Sequence, residues 1–94
     1  LNSNQIKEAK ELKKLGIDKH GCLNLAENCN KIEIQTAINI INKGFHWCYA
    51  ALSIKKFSDD QIKKMIELKN NGLNDIQSFH KIEISICLQD YFKN

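Results

Sequence analysis

A glycine recurs every 28 residues along this chain of 94 residues, and a repeat of fixed interval restricts the fold to units that stack on one another. The glycines are Gly16, Gly44 and Gly72, and an apolar residue follows each of them. Three segments that end in these glycines align without gaps, and they are residues 5–16, 33–44 and 61–72. Their matched apolar positions lie three residues apart, which is a helical period rather than a strand period. The repeat therefore predicts three equivalent helices.

The beginnings of these helices repeat as well. Asn2, Asn30 and Ser58 occupy the same phase of the repeat, and each stands three residues before a Gln or a Glu. This spacing is typical of a capping box, in which the short polar side chain and the Gln or Glu side chain each accept a backbone N–H of the other residue. A glycine after the last periodic residue is typical of a helix end.

A fourth helix is predicted from a second anchor, the string KIEI, which occurs at 31–34 and again at 81–84. Short apolar segments at 23–29, 46–53 and 74–79 predict short helices between the long ones, with Asn74 as a cap. We therefore expect a single all-α domain over 1–94, built of stacked α-hairpin repeats, with a closed bundle as the alternative. The longer helices are expected near 4–15, 32–43, 59–71 and 82–92, in repeat units of about 2–29, 30–57, 58–79 and a partial 80–94.

Composition excludes several classes of function. The net charge is only +3, and all 14 basic residues are lysines, so the guanidinium group that best reads guanine and phosphate is missing. No apolar run approaches the roughly 20 residues of a membrane-spanning helix. We expect a cytoplasmic protein without a membrane partner.

Part of the chain resembles a known repeat. Residues 57–73 share an aromatic residue, a Gln followed by spaced apolar residues, and a Gly-Leu pair with a short tandem α-helical repeat of uncharacterised proteins from low-GC bacteria and their mobile elements. The matching residues are Phe57, Gln61, Ile62, Ile66, Gly72 and Leu73, and in the first copy Gln5, Ile6, Gly16, Ile17 and Asp18. Residues 22–34 also resemble a degenerate ankyrin repeat. Both resemblances imply helical arrays that bind partners rather than catalyse reactions.

A zinc-stabilised module is one alternative function. Two His-x-Cys pairs and a nearby cysteine provide the ligand types that zinc prefers. The residues of this alternative are His20, Cys22, Cys29, His46 and Cys48. Structural zinc sites usually draw on ligands with two to four residues between them, whereas His-x-Cys has only one. We therefore expect no metal or other cofactor, and we interpret the cysteines as buried free thiols.

Nucleic-acid binding is a second alternative. Residues 60–92 have the order helix, Gly-Leu turn, short helix and last helix, which is typical of trihelical helix-turn-helix DNA readers. The residues of this alternative are Lys63, Lys64, Lys69 and Gln89.

No phosphate-cradling loop, nucleophile elbow or pair of facing acids is visible, so we expect no enzymatic activity.

The aromatic cluster that follows Gly44 is the best candidate for an interface. Phe45 is expected in the core, because an apolar residue after a helix-closing glycine packs back. Trp47, Tyr49 and His46 are predicted to contact a partner, because exposed aromatic residues mark interfaces. We expect a non-enzymatic protein–protein interaction module, in one form a small phage or mobile-element inhibitor or adaptor that occludes a host complex. A homodimer is a further expectation, because the end of a short array leaves an apolar face uncovered.

Overall fold

The computed structural model describes residues 1–93, which form six α-helices and no strand. The helices are α1 (Ser3–Lys14), α2 (Lys19–Asn28), α3 (Lys31–Asn42), α4 (Trp47–Lys56), α5 (Asp59–Asn70) and α6 (Asp75–Lys93). The expected all-α fold is confirmed. No helix within the described residues is long and apolar enough to cross a membrane.

The first helix of each repeat begins at the predicted capping box. At α3, the Oδ1 atom of Asn30 accepts the backbone N–H of Glu33 at 2.8 Å, and the Oε1 atom of Glu33 accepts the N–H of Asn30 at 2.9 Å. The same reciprocal pair forms at α1 and α5, between Asn2 and Gln5 and between Ser58 and Gln61. Each box satisfies two backbone N–H groups that a helix start would otherwise leave without partners.

The repeat glycines end these helices as predicted. Gly44 has a φ of +102°, a left-handed conformation that strains any residue with a Cβ atom. Its backbone N–H donates to the carbonyl of Ile41, and the chain then turns into α4. Phe45 directly after this glycine is buried, which confirms its predicted place in the core. Gly16 and Gly72 also have positive φ angles.

The last helix differs from the sequence-based prediction. Asn74 caps it as expected, since its Oδ1 atom accepts the N–H of Gln77 at 2.8 Å. The helix then runs without a break to Lys93, so residues 74–79 and 82–92 belong to one helix instead of a short and a long one. It also passes through residue 80, where we placed the start of a partial fourth unit.

The helices pack as three hairpins, α1 with α2, α3 with α4 and α5 with α6. The second helices of the hairpins, α2, α4 and α6, also contact one another in sequence and so join the hairpins into an array. The array measures 46 × 30 × 18 Å, and its core is one continuous cluster of buried apolar side chains.

Candidate binding groove between the second helices

The second helices are tied together at their N-terminal ends by hydrogen bonds between neighbouring hairpins. Asp18 caps α2 and accepts the N–H of Gly21 at 2.9 Å. Its other oxygen accepts the indole N–H of Trp47, the first residue of α4, at 3.0 Å. The backbone N–H of His46 likewise donates to Asp75, the first residue of α6, at 3.3 Å. Both Asp18 bonds favour its carboxylate, so they lower the pKa of Asp18, the Gly21 bond most strongly.

The position of the Trp47 ring depends on the absence of a side chain at Gly21. A Cβ atom on Gly21 would lie 2.7 Å from Cγ of Trp47 and 2.7 Å from Cγ2 of Ile17. The indole therefore lies directly on the backbone of α2, where it also reaches Asp18. Trp47 is half-buried by this packing, and it joins the first hairpin to the second.

The junction between α4 and α6 is filled by an aromatic cluster. The ring of Phe79 on α6 lies 5.3 Å from that of Tyr49 and 5.1 Å from that of Phe57, measured between centroids. Phe79 and Phe57 are buried. Lys56 of α4 also forms an ion pair with Glu83 of α6 at 3.2 Å, across the same junction. Three aromatic rings thus close the space between these two helices.

The junction between α2 and α4 has no such cluster. The repeat interval of 28 residues relates Tyr49, Phe57 and Phe79 to Gly21, Cys29 and Ala51. All three aromatic positions thus hold small residues, and an open groove of about 510 Å³ remains between the helices. It is lined by Asn24, Asn28 and Cys29 of the first hairpin and by Trp47, Cys48, Ala51, Leu52 and Lys55 of the second. We refer to these eight residues as the α2–α4 groove.

The α2–α4 groove has an apolar floor and a polar rim. Ala51, Cys29 and one side of Trp47 form the apolar part, and burial raises the pKa of the Cys29 thiol, which keeps it neutral. Lys55 lies at the rim, where its amino group pairs with Glu33 at 2.9 Å. No Asp or Glu side chain lines the groove. An apolar cavity with a few polar groups is the usual design of a binding site.

A second depression, of about 380 Å³, lies between α1 and α3. Its lining is mostly amide and charged side chains, which water solvates well. Ala26, Cys29 and Ile34 supply the apolar part of this lining, and four Lys and Glu side chains surround it.

The three predicted interface residues have different roles in the structure. Trp47 lines the α2–α4 groove, but its indole also holds two hairpins together. Tyr49 packs in the aromatic cluster between α4 and α6. His46 is exposed and caps α4, where its Nδ1 atom accepts the N–H of Cys48 at 3.2 Å. Ala51 and Cys29 were not predicted as interface residues, and only a comparison across the 28-residue interval singles them out.

The zinc alternative finds no support in the arrangement of its residues. Among residues 1–93, no group of three or more His, Cys, Asp and Glu side chains is placed to hold a metal ion. Cys22 is buried, and its thiol donates to the carbonyl oxygen of Ile17 at 3.3 Å. Burial is the main reason that the pKa of the Cys22 thiol is raised. Cys29 and Cys48, by contrast, are half-buried and Cys87 is exposed, so the prediction that the cysteines are buried is wrong for these three, while all four are free thiols.

The helix-turn-helix alternative loses its three-helix arrangement, because α6 is continuous where a second turn was predicted. Lys63 and Lys64 are exposed in the middle of α5, and Lys64 faces Glu67 at 3.7 Å. The amino group of Lys69 instead lies 5.2 Å from the ring of Phe45. Gln89 is exposed near the C-terminal end of α6.

Comparison of the chain with protein-family models, with curated proteins and with solved structures found no significant match.

Proposed function

We propose that the protein is a non-enzymatic protein–protein interaction module and that the α2–α4 groove binds one large apolar side chain of a partner. The observation that carries this proposal is that Cys29 and Ala51, which line the open groove, occupy the repeat positions of Phe57 and Phe79, which fill the junction between α4 and α6. The third aromatic position holds Gly21, which the Trp47 indole covers. At the junction between α4 and α6, the residue equivalent to Ala51 is Phe79, which packs between Tyr49 and Phe57. An aromatic side chain of a partner is therefore the kind that would fit the α2–α4 groove.

The rim of the groove suggests how a partner segment would be oriented. The side-chain amides of Asn24 and Asn28 both donate and accept hydrogen bonds, so they suit the backbone of a bound segment. Lys55 at the rim already pairs with Glu33 of the same chain at 2.9 Å. We therefore infer a partner segment with one aromatic side chain, held by hydrogen bonds between its backbone and the two asparagines.

The free thiols fit the expected setting of this function. All four cysteines lie within the described residues and none forms a disulfide, which supports the reducing cytoplasm as the compartment. Occlusion of a host complex by a small phage or mobile-element protein is one form of the proposal, and the resemblance of residues 57–73 to a mobile-element repeat supports it.

The proposal is tested with a displayed library of random peptides, selected on the immobilised protein. Trp47 is the only tryptophan and lines the groove, so its fluorescence reports the binding of each selected peptide. The variant Ala51→Phe fills the groove with the side chain found at the equivalent junction. The variant Ile32→Phe adds bulk at a residue of α3 that is 80% exposed and serves as the matched control.

We expect the selected peptides to share one aromatic residue and to change the fluorescence of Trp47. Ala51→Phe should weaken their binding at least about tenfold, equivalent to about 1.4 kcal/mol, while Ile32→Phe leaves it unchanged. A helical circular dichroism spectrum of Ala51→Phe shows that the loss is not due to unfolding. Peptides that bind Ala51→Phe as well as the natural protein would refute the groove as the binding site.

A further inference from the structure

Helix α6 is apolar on two opposite sides. At about 100° per residue, Phe79, Ile82 and Ile86 share one side of the helix, and this side packs into the core. Ile84, Leu88, Tyr91 and Phe92 lie on the opposite side, where all four are exposed. A helix with apolar residues on two sides normally buries both of them. We call these four residues the α6 outer stripe.

Three of the four residues of the outer stripe, Leu88, Tyr91 and Phe92, lie where α6 projects past its neighbour. Helix α6 has 19 residues and α5 has 12, a difference of about 10 Å at 1.5 Å per residue. Tyr91 and Phe92 are 75% and 79% exposed, and their rings contact each other edge to face. Between residues 84 and 92 no Asp, Glu, Lys or His side chain lies on this side of the helix, and Lys81 shares the side one turn before Ile84.

We propose that the α6 outer stripe binds the same stripe of a second copy of this chain, with the two helices antiparallel and a two-fold axis near Cys87 and Leu88. In this register, Ile84 of each copy faces Tyr91 of the other, and the two Leu88 side chains meet. The stripe is therefore complementary to itself, as a closed two-fold interface requires. This proposal is independent of the α2–α4 groove.

The exposed area of the α6 outer stripe is consistent with binding of a second copy of the chain. With about 200 Å² for a large apolar side chain, the four residues expose roughly 500 Å² per copy. A standard interface buries about 800 Å² on each partner, and flanking residues such as Cys87 supply part of the difference. We therefore expect a dimer of moderate affinity, with a Kd in the micromolar range.

The first test is sedimentation equilibrium of the protein under reducing conditions, at about 1 to 200 µM. Leu88→Glu places a charge in the centre of the proposed interface. Ile32→Glu makes the same change at an exposed isoleucine of α3 and is the matched control. We expect the natural protein and Ile32→Glu to dimerise and Leu88→Glu to remain monomeric. A natural protein that stays monomeric, or a Leu88→Glu variant that dimerises equally well, would overturn the proposal.

The second test uses Cys87, which is the exposed cysteine of the four and would lie close to the axis. Diamide oxidises two thiols to a disulfide and takes up their two hydrogen atoms, becoming the hydrazine. We expect rapid formation of a covalent dimer that Cys87→Ser abolishes and Leu88→Glu slows at least about tenfold. Cross-linking at the same rate in Leu88→Glu would indicate random collision and would contradict the dimer.

Discussion

Single residues determine how the first two hairpins meet. Gly21 leaves room for the Trp47 indole, and Asp18 both caps α2 and accepts the indole N–H. Because the three residues depend on one another, a change at Gly21 is expected to affect the whole junction. Trp47 is thus a structural contact and a groove residue at the same time.

The variant Gly21→Ala tests whether the Trp47 indole needs a glycine at position 21, because it should lower the free energy of unfolding where alanine normally raises it. Alanine normally stabilises a helix interior by about 1 kcal/mol relative to glycine. Here the added Cβ would displace the indole, and we expect a lower free energy of unfolding by about 1 to 3 kcal/mol in urea titrations followed by circular dichroism. In the Trp47→Ala background only the close contact with Ile17 remains, so the same change should destabilise the protein less. A stabilising effect of Gly21→Ala alone would contradict the described packing.

The sequence predicts some residues of the groove and not others, for a physical reason. An aromatic residue such as Trp47 can be recognised in the sequence as a candidate contact residue, because it needs a large contact surface wherever it lies. Ala51 and Cys29 are ordinary helix residues in isolation. Their role in the groove depends on which residues face each other across α2 and α4. That pairing is set by the packing of the hairpins and cannot be read from either helix alone.

At the scale of elements, short-range signals predict the first helix of each hairpin well. The capping boxes and closing glycines act within a few residues, so the pattern alone locates both ends of α1, α3 and α5. The prediction for α6 went wrong because the string KIEI was aligned by letters instead of by the repeat interval. Asp18, His46 and Asn74 are the caps of α2, α4 and α6 and lie 28 residues apart, a signal that places α6 correctly.

The open junction between α2 and α4 predicts a gain in stability when it is filled. Ala51→Phe adds apolar surface that becomes buried in the groove, so we expect the free energy of unfolding to rise by about 1 kcal/mol. Ile32→Phe, whose added carbon atoms remain in water, should change it by less than about 0.5 kcal/mol. Thermal unfolding of both variants is the measurement. A clear loss of stability in Ala51→Phe would show that the groove is too narrow for an aromatic ring.

At the scale of the whole molecule, the array presents two separate surfaces. The α2–α4 groove lies between the first and second hairpins, and the α6 outer stripe lies on the third. A dimer formed through the stripes would leave both grooves open, so that one dimer would bind two partner segments. If both segments belong to one assembly, the second binding event becomes intramolecular and the overall affinity rises without new contacts.

The measurement that bears most directly on the proposed function is capture of partners from a lysate of the source organism, after nuclease treatment. The immobilised baits are the natural protein, Ala51→Phe and Ile32→Phe. We predict that a protein is retained in stoichiometric amount by the natural protein and by Ile32→Phe and is lost with Ala51→Phe. Equal capture by Ala51→Phe, or partners that disappear once nucleic acid is digested, would contradict the assignment of the α2–α4 groove as a protein-binding site.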